Sequence, residues 1–106
     1  MLQHHLNNKI SLEKIVTKMC HNPAILFQIN KRGYIRKGYF ADLVLIDMNK
    51  SWTVKKDNIL YKCKWSPFEG LQFDSQITHT IVNGKLIYEN GLFNSTLYGK
   101  KLTFNR

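Results

Sequence analysis

Gly33-Tyr34-Ile35-Arg36-Lys37-Gly38-Tyr39-Phe40-Ala41-Asp42-Leu43-Val44-Leu45-Ile46-Asp47 is the stretch whose reading decides the fold. Two glycines punctuate a short extended piece, and a small residue and an acid lead into four consecutive apolar residues closed by Asp47. An apolar run of that length between turn residues predicts a strand buried on both faces. Something must then cover both sides of residues 43–46, and whether this chain supplies the cover bears on function.

Working back towards the start, Leu2 and Leu6 stand one helical turn apart around His4 and His5, which reads as the tail of a helix. Ser11 is placed as an N-cap, with Glu13 in the first turn where a negative charge suits the helix dipole. Leu12, Ile15, Val16 and Met19 then recur at the spacing of an amphipathic stripe, predicting a helix that stops near Cys20. Pro23 disfavours helical geometry at Asn22 but sits well at a first helical position, so a second short helix over 23–29, capped by Asn22, is expected.

Past Asp47 the character changes. Met48-Asn49-Lys50-Ser51 reads as a turn and Trp52-Thr53-Val54 as a short β-prone piece. Trp65-Ser66-Pro67-Phe68-Glu69-Gly70 is a loop carrying two aromatics that need burial. Asn83-Gly84 between two β-prone runs predicts a hairpin over 77–88. Leu102-Thr103-Phe104 is a candidate last edge strand, after a polar stretch containing Tyr98 and Gly99.

The 106 residues fit one small domain, 43% apolar and 22% charged. Sixteen Lys and Arg against seven Asp and Glu give a formal charge of +9, which raises nucleic acid or another acidic partner. The basic residues come as separated pairs, Lys31-Arg32, Arg36-Lys37, Lys55-Lys56 and Lys100-Lys101 among them, not as one helix face or run, and this argues against nucleic acid. Cys20 and Cys63 lie far apart without CxxC spacing, and neither a signal-like start nor an apolar run of membrane length is present. A cytoplasmic protein with no membrane partner is expected, its two cysteines reduced and buried as small hydrophobes.

The material for chemistry is thin. His4 and His5 are adjacent, so on a helix they point about 100° apart instead of at one ion, and Cys20-His21 repeats the problem. Asp42 and Asp47 bracket the strand and lean to opposite faces, with roughly 16 Å of extended chain between them. Each is expected to satisfy backbone donors in a turn. The glycines are isolated turn residues that form no phosphate loop. Catalytic, cofactor-binding and metal roles are therefore assigned to no residue, and on residue chemistry alone the chain is not an enzyme.

The order of motifs nonetheless resembles the C-terminal end of the amidohydrolase superfamily. The resemblance lies in Asn22-Pro23-Ala24, the Gly33 to Gly38 turn, Ala41-Asp42-Leu43-Val44-Leu45-Ile46-Asp47, the Trp65 to Gly70 loop and Val82-Asn83-Gly84-Lys85, and it covers residues 11–93. Tyr61-Lys62-Cys63-Lys64 leading into that loop is most similar to dihydroorotases, with allantoinases and dihydropyrimidinases carrying similar endings.

The resemblance implies an α+β fragment. Residues 1–30 would be closing helices of a (β/α)8 barrel, and residues 31–106 the C-terminal part of a small β-domain completed as a composite sandwich by strands from the other end of the enzyme. It implies a parent enzyme that hydrolyses or closes a cyclic amide in pyrimidine biosynthesis, with zinc held by barrel residues upstream of Met1. This chain alone would be structural and inactive, its partner the missing barrel part, with self-association through exposed strands in that partner's absence. The rival expectation is an independent basic β-module that binds nucleic acid or an acidic partner.

Overall fold

The computed structural model describes residues 1–94, 96 and 99–106, which leaves Tyr98 outside the described residues. Helix α1 is Leu2–Leu6 and helix α2 is Leu12–Val16. Ser11 caps α2 as its sequence position predicts, its hydroxyl accepting the Lys14 N–H at 3.1 Å.

The expected break at Asn22 does not occur. Asn22 is helical (φ −61°, ψ −44°) and caps nothing. The chain stays helical from α2 through a π turn, Thr17–His21, into α3, Asn22–Leu26. Pro23 has no N–H for the carbonyl four residues back, and its ring crowds that carbonyl. Widening the preceding turn relieves both demands without ending the helix. Only Ile15 of the predicted stripe is buried; Leu12, Val16 and Met19 lie exposed, as do Ile25, Leu26 and Phe27 further along.

Gly33 then brings the following loop against this helical run. A Cβ placed there would lie 2.5 Å from the Ala24 Cβ and 2.9 Å from the Cys20 carbonyl oxygen, and φ is +86°. The loop closes where the Phe40 N–H reaches the Lys31 carbonyl at 3.0 Å.

Strand β1, Leu43–Asp47, pairs antiparallel with β4, Gln76–Val82. β5, Lys85–Glu89, and β6, Leu92–Phe93, complete a four-stranded antiparallel sheet in the order β1-β4-β5-β6. Between them in the chain, β2, Trp52–Thr53, and β3, Gln72–Phe73, form a separate two-stranded ribbon. The 77–88 hairpin is present, with Asn83 (φ 52°) and Gly84 (φ 77°) both left-handed, as its tight turn requires. Asn83 serves through its backbone: both polar atoms of its side chain are buried with no partner among the described residues.

Residues Leu43 and Leu45 face Ile81 and His79, after which the register slips past Thr78. A second slip passes Ile87 of β5. The carbonyls of these two bulged residues accept from Asn90 (2.8 Å) and Asn94 (2.9 Å), so the bulges are tied down and not merely irregular.

Three expectations need correction. β1 is not buried on both faces: it is the outer strand of its sheet, with Val44 50% and Leu45 51% exposed, because the described residues lay nothing over it and pair it along one edge alone. Trp65 and Phe68 stay exposed: the loop that carries them is tied to Val54 by backbone bonds, Gly70 N–H to the Val54 carbonyl at 2.8 Å and Val54 N–H to the Leu71 carbonyl at 2.9 Å, and the side chain it buries is Ser66. Residues 102–104 form no sheet strand; Phe104 makes a single bridge to Ile29, and the Asn30 and Asn105 N–H groups bond across at 2.8 and 2.9 Å. The architecture is α+β, with a thin core of Ile15, Ala24, Val54 and Ile59.

The approach at residue 33 yields a paired test. Gly33→Ala should destabilise the chain by about 2–4 kcal/mol, combining left-handed strain with overpacking against Ala24. Gly38→Ala, at φ +83° with nothing within 4 Å of its would-be Cβ, should cost only about 1 kcal/mol from strain alone. Urea unfolding of the two variants checks this, and equal losses would refute the close-packing argument.

Candidate functional site

The titratable side chains are spread out, and several are occupied locally. His5 Nδ1 donates to the Ile10 carbonyl at 2.9 Å. His79 pairs through Nδ1 with the Thr78 hydroxyl at 2.8 Å and lies 3.6 Å from the Glu89 carboxylate. Among the described residues, no three His, Cys, Asp or Glu side chains are grouped to hold a metal ion. The donor set of this chain therefore does not fit the zinc that the resemblance implies for a full-length enzyme, and no metal step is assigned to it. Both cysteines are exposed free thiols, contrary to the burial expected of them. Cys20 lies in the π turn, and Cys63 sits in a loop with its thiol 3.8 Å from the Trp65 carbonyl.

The two strand-flanking acids act structurally, over different ranges. Asp47 accepts the Asn49 N–H at 2.9 Å, the local turn its position predicts. Asp42 reaches across the fold: one carboxylate oxygen pairs with Arg32 and the other accepts the Asn83 N–H at 2.9 Å, while the Gly84 N–H bonds the Ala41 carbonyl at 2.9 Å. The start of β1 is thus clamped to the hairpin turn.

Asp74 is the acid the sequence reading missed, because no local motif marks it. Its backbone N–H donates to Gln3 Oε1 at 2.8 Å, and its carboxylate accepts from Gln3 (3.0 Å), Ser51 (3.0 Å) and Gln72 (3.2 Å). These donors, Gln3 first, hold its carboxyl below the ordinary value. The partners come from α1, the turn before β2 and β3, so the group ties the N-terminal helix to the ribbon.

Two concave regions stand out among the described residues. An apolar cleft of about 390 Å³ lies among Trp52, Ile59, Tyr61, Pro67, Phe68 and Phe73. A second, of about 370 Å³, opens between α3 and the 31–40 loop, with Arg32, Arg36, Tyr34 and Tyr39 on one side and Gln28 and Asn105 on the other. Neither contains an acid or a nucleophile poised beside a base. The geometry offers binding surfaces and a scaffold, with no catalytic constellation among the described residues.

With this arrangement in hand, comparison with known proteins is specific. The sequence model described as "Amidohydrolase family" matches residues 1–87. The chain is 38% identical over 81 residues to a dihydroorotase of Pyrococcus horikoshii, covering 76% of this chain and 19% of that protein. It is 34% identical over 96 residues to an allantoinase of Desulfitobacterium hafniense, covering 91% and 21%. Its fold is similar to that of the L-hydantoinase (dihydropyrimidinase) of Arthrobacter aurescens, with a TM-score of 0.79 at 32% identity over 89% of this chain and 21% of that one. The chain thus spans about a fifth of the length of the proteins it matches.

The Asp74 network makes stability depend on pH in a stated direction. Since the folded state lowers its pKa, its contribution is complete above the ordinary value of 3.8 and is lost as pH falls through the lowered folded value. Asp74→Asn should therefore unfold earlier than the parent chain in urea at pH 7, with the difference closing towards about pH 2. A difference that does not change with pH would show that the ionised carboxylate is not what holds α1 to the ribbon.

Proposed function

Because this chain belongs to the amidohydrolase family, we propose that it is the closing segment of a cyclic amidohydrolase of the dihydroorotase type and contributes scaffold to an active site built elsewhere. Dihydroorotase, allantoinase and dihydropyrimidinase are names for enzymes acting on rings closed by an amide, and this shared chemistry supports a cyclic amide as the substrate class. In this reading residues 1–30 are end helices of a (β/α)8 barrel and residues 31–106 the last part of a small β-domain. The dihydroorotase resemblance favours a role in pyrimidine biosynthesis.

The observation that carries the reading is uncovered apolar surface at two places. Leu12, Val16 and Met19 leave the predicted face of the helical run open, and Val44, Leu45 and Ile46 leave β1 open along its length. Apolar helix stripes and unpaired strands of this kind are normally covered. A chain whose match spans about a fifth of its relatives' length has an evident source of cover in the rest of such an enzyme. Zinc and the residues that bind it would belong to that remaining part. What this chain's own residues do is hold position: Gly33 seats the loop on the helix, and Asp42 fixes the start of β1 against the hairpin.

A chimera tests the proposal. Replacing the 81 matched residues of the Pyrococcus horikoshii dihydroorotase with those of this chain should leave a folded enzyme that hydrolyses dihydroorotate within about tenfold of its parent. The chain by itself, with zinc added, should turn over neither dihydroorotate, hydantoin nor allantoin. Turnover by the chain alone, or a soluble zinc-loaded chimera without activity, would overturn the reading. Light scattering on the purified chain should show self-association through β1; a clean monomer at tens of micromolar would remove the argument from its open edge.

A further inference from the structure

The groove between α3 and the 31–40 loop is absorbed by none of this, and its chemistry is particular. Tyr34 is the centre of a three-layer stack. The His21 ring lies 4.1 Å from it at an interplanar angle of 5°, and the Arg36 guanidinium carbon lies 4.0 Å over its centroid. A phenol ring has only two faces, and groups this close to its centre must occupy one each. Tyr39 closes the edge, 6.4 Å from Tyr34 at 85° and 5.7 Å from Arg36.

This arrangement prepares Arg36 for a ligand in a way that Arg32 is not prepared. Arg32 is spent: it pairs with Asp42 and lies 4.1 Å over the Phe40 ring. Arg36 is exposed, and among the described residues no carboxylate lies within ion-pair distance of it. With its central carbon 4.0 Å over the ring, the guanidinium presents N–H groups that can receive an oxyanion through two parallel hydrogen bonds. The groove adds the Gln28 amide as a neutral donor, Asn105 being engaged with Asn30 at 3.3 Å, and has no acid in its lining to compete. Its volume of about 370 Å³ suits a small molecule and not a polymer track. The formal charge of +9 raises the local concentration of any anion.

We propose that this groove is a binding site for a small-molecule oxyanion, a phosphate or carboxylate group, with Arg36 as the principal ligand and Tyr34 as the ring on which its guanidinium rests. Sequence reading passes over the site because Arg36-Lys37 reads as one more solvated basic pair; the signal is the aromatic at the second position before the arginine and another three after it, which the loop folds onto one spot.

The test is a two-arm titration of the full chain, with inorganic phosphate and with succinate, followed by ¹H–¹⁵N NMR at ionic strength matched with sodium chloride. Saturable shifts of the Arg36 Nε–H and of the 34–39 amides, at about millimolar affinity, are expected in at least one arm, and the tighter arm identifies the carrier chemistry. Arg36→Gln should weaken binding at least tenfold with the rest of the spectrum unchanged, Arg36→Lys should weaken it less, and Tyr34→Phe should retain it. The proposal is overturned by equal shifts in sodium chloride, by no saturation in either arm, by undiminished binding in Arg36→Gln, or by binding of a single-stranded RNA when neither small anion binds.

Discussion

The Asp42 carboxylate is the contact on which the rest of the arrangement depends. It joins three pieces of chain that regular secondary structure does not connect: Arg32 in the loop after the helices, the start of β1, and the Asn83 N–H at the hairpin turn. Together with the neighbouring Gly84 N–H to Ala41 carbonyl bond, it ties the loop seated on the helices by Gly33 to the sheet that begins at Leu43. Arg32, held also over Phe40, supplies the charge that keeps this carboxylate in place. A charge-assisted bond is well suited to the task, because it is directional and does not require a large apolar core, which this chain lacks.

Local chemistry was the legible part of the fold. Ser11, Asn83-Gly84 and Asp47 each act within three residues of their own position, and their side chains or backbone freedom suffice to predict what they do. The errors arose where the outcome depended on distant or missing neighbours. Pro23 signals a helix start by its own chemistry, yet the preceding residues had a wider turn open to them and the helix continued. Trp65, Phe68 and the two cysteines were expected to be buried on residue type alone, and residue type says nothing about whether cover exists. Asp74 was invisible because its donors lie up to 71 positions away.

The candidate sites divide along the same line. For the histidines and acids the argument is one of spacing, because adjacency constrains direction whatever the fold. The Arg36 groove needed the fold, since the path of the loop alone brings His21 to the other face of Tyr34. The uncovered faces have a bearing on both. A segment that leaves its helix stripe and outer strand open has placed little of its free energy in its own interior, and its order rests on a few polar clamps.

The π turn has a consequence for the face that the helical run presents. Ile15 and Ala24 are both buried, yet they are nine positions apart, and nine steps of about 100° along a regular α-helix would leave them half a turn out of phase. The wider turn at Thr17–His21 acts as a phase corrector, absorbing one residue's worth of rotation so that α3 presents Ala24 to Gly33. The length of this helix and the direction of its faces are therefore decoupled, and a one-residue deletion within the turn would let the run close into a regular α-helix with Ala24 kept near its present direction.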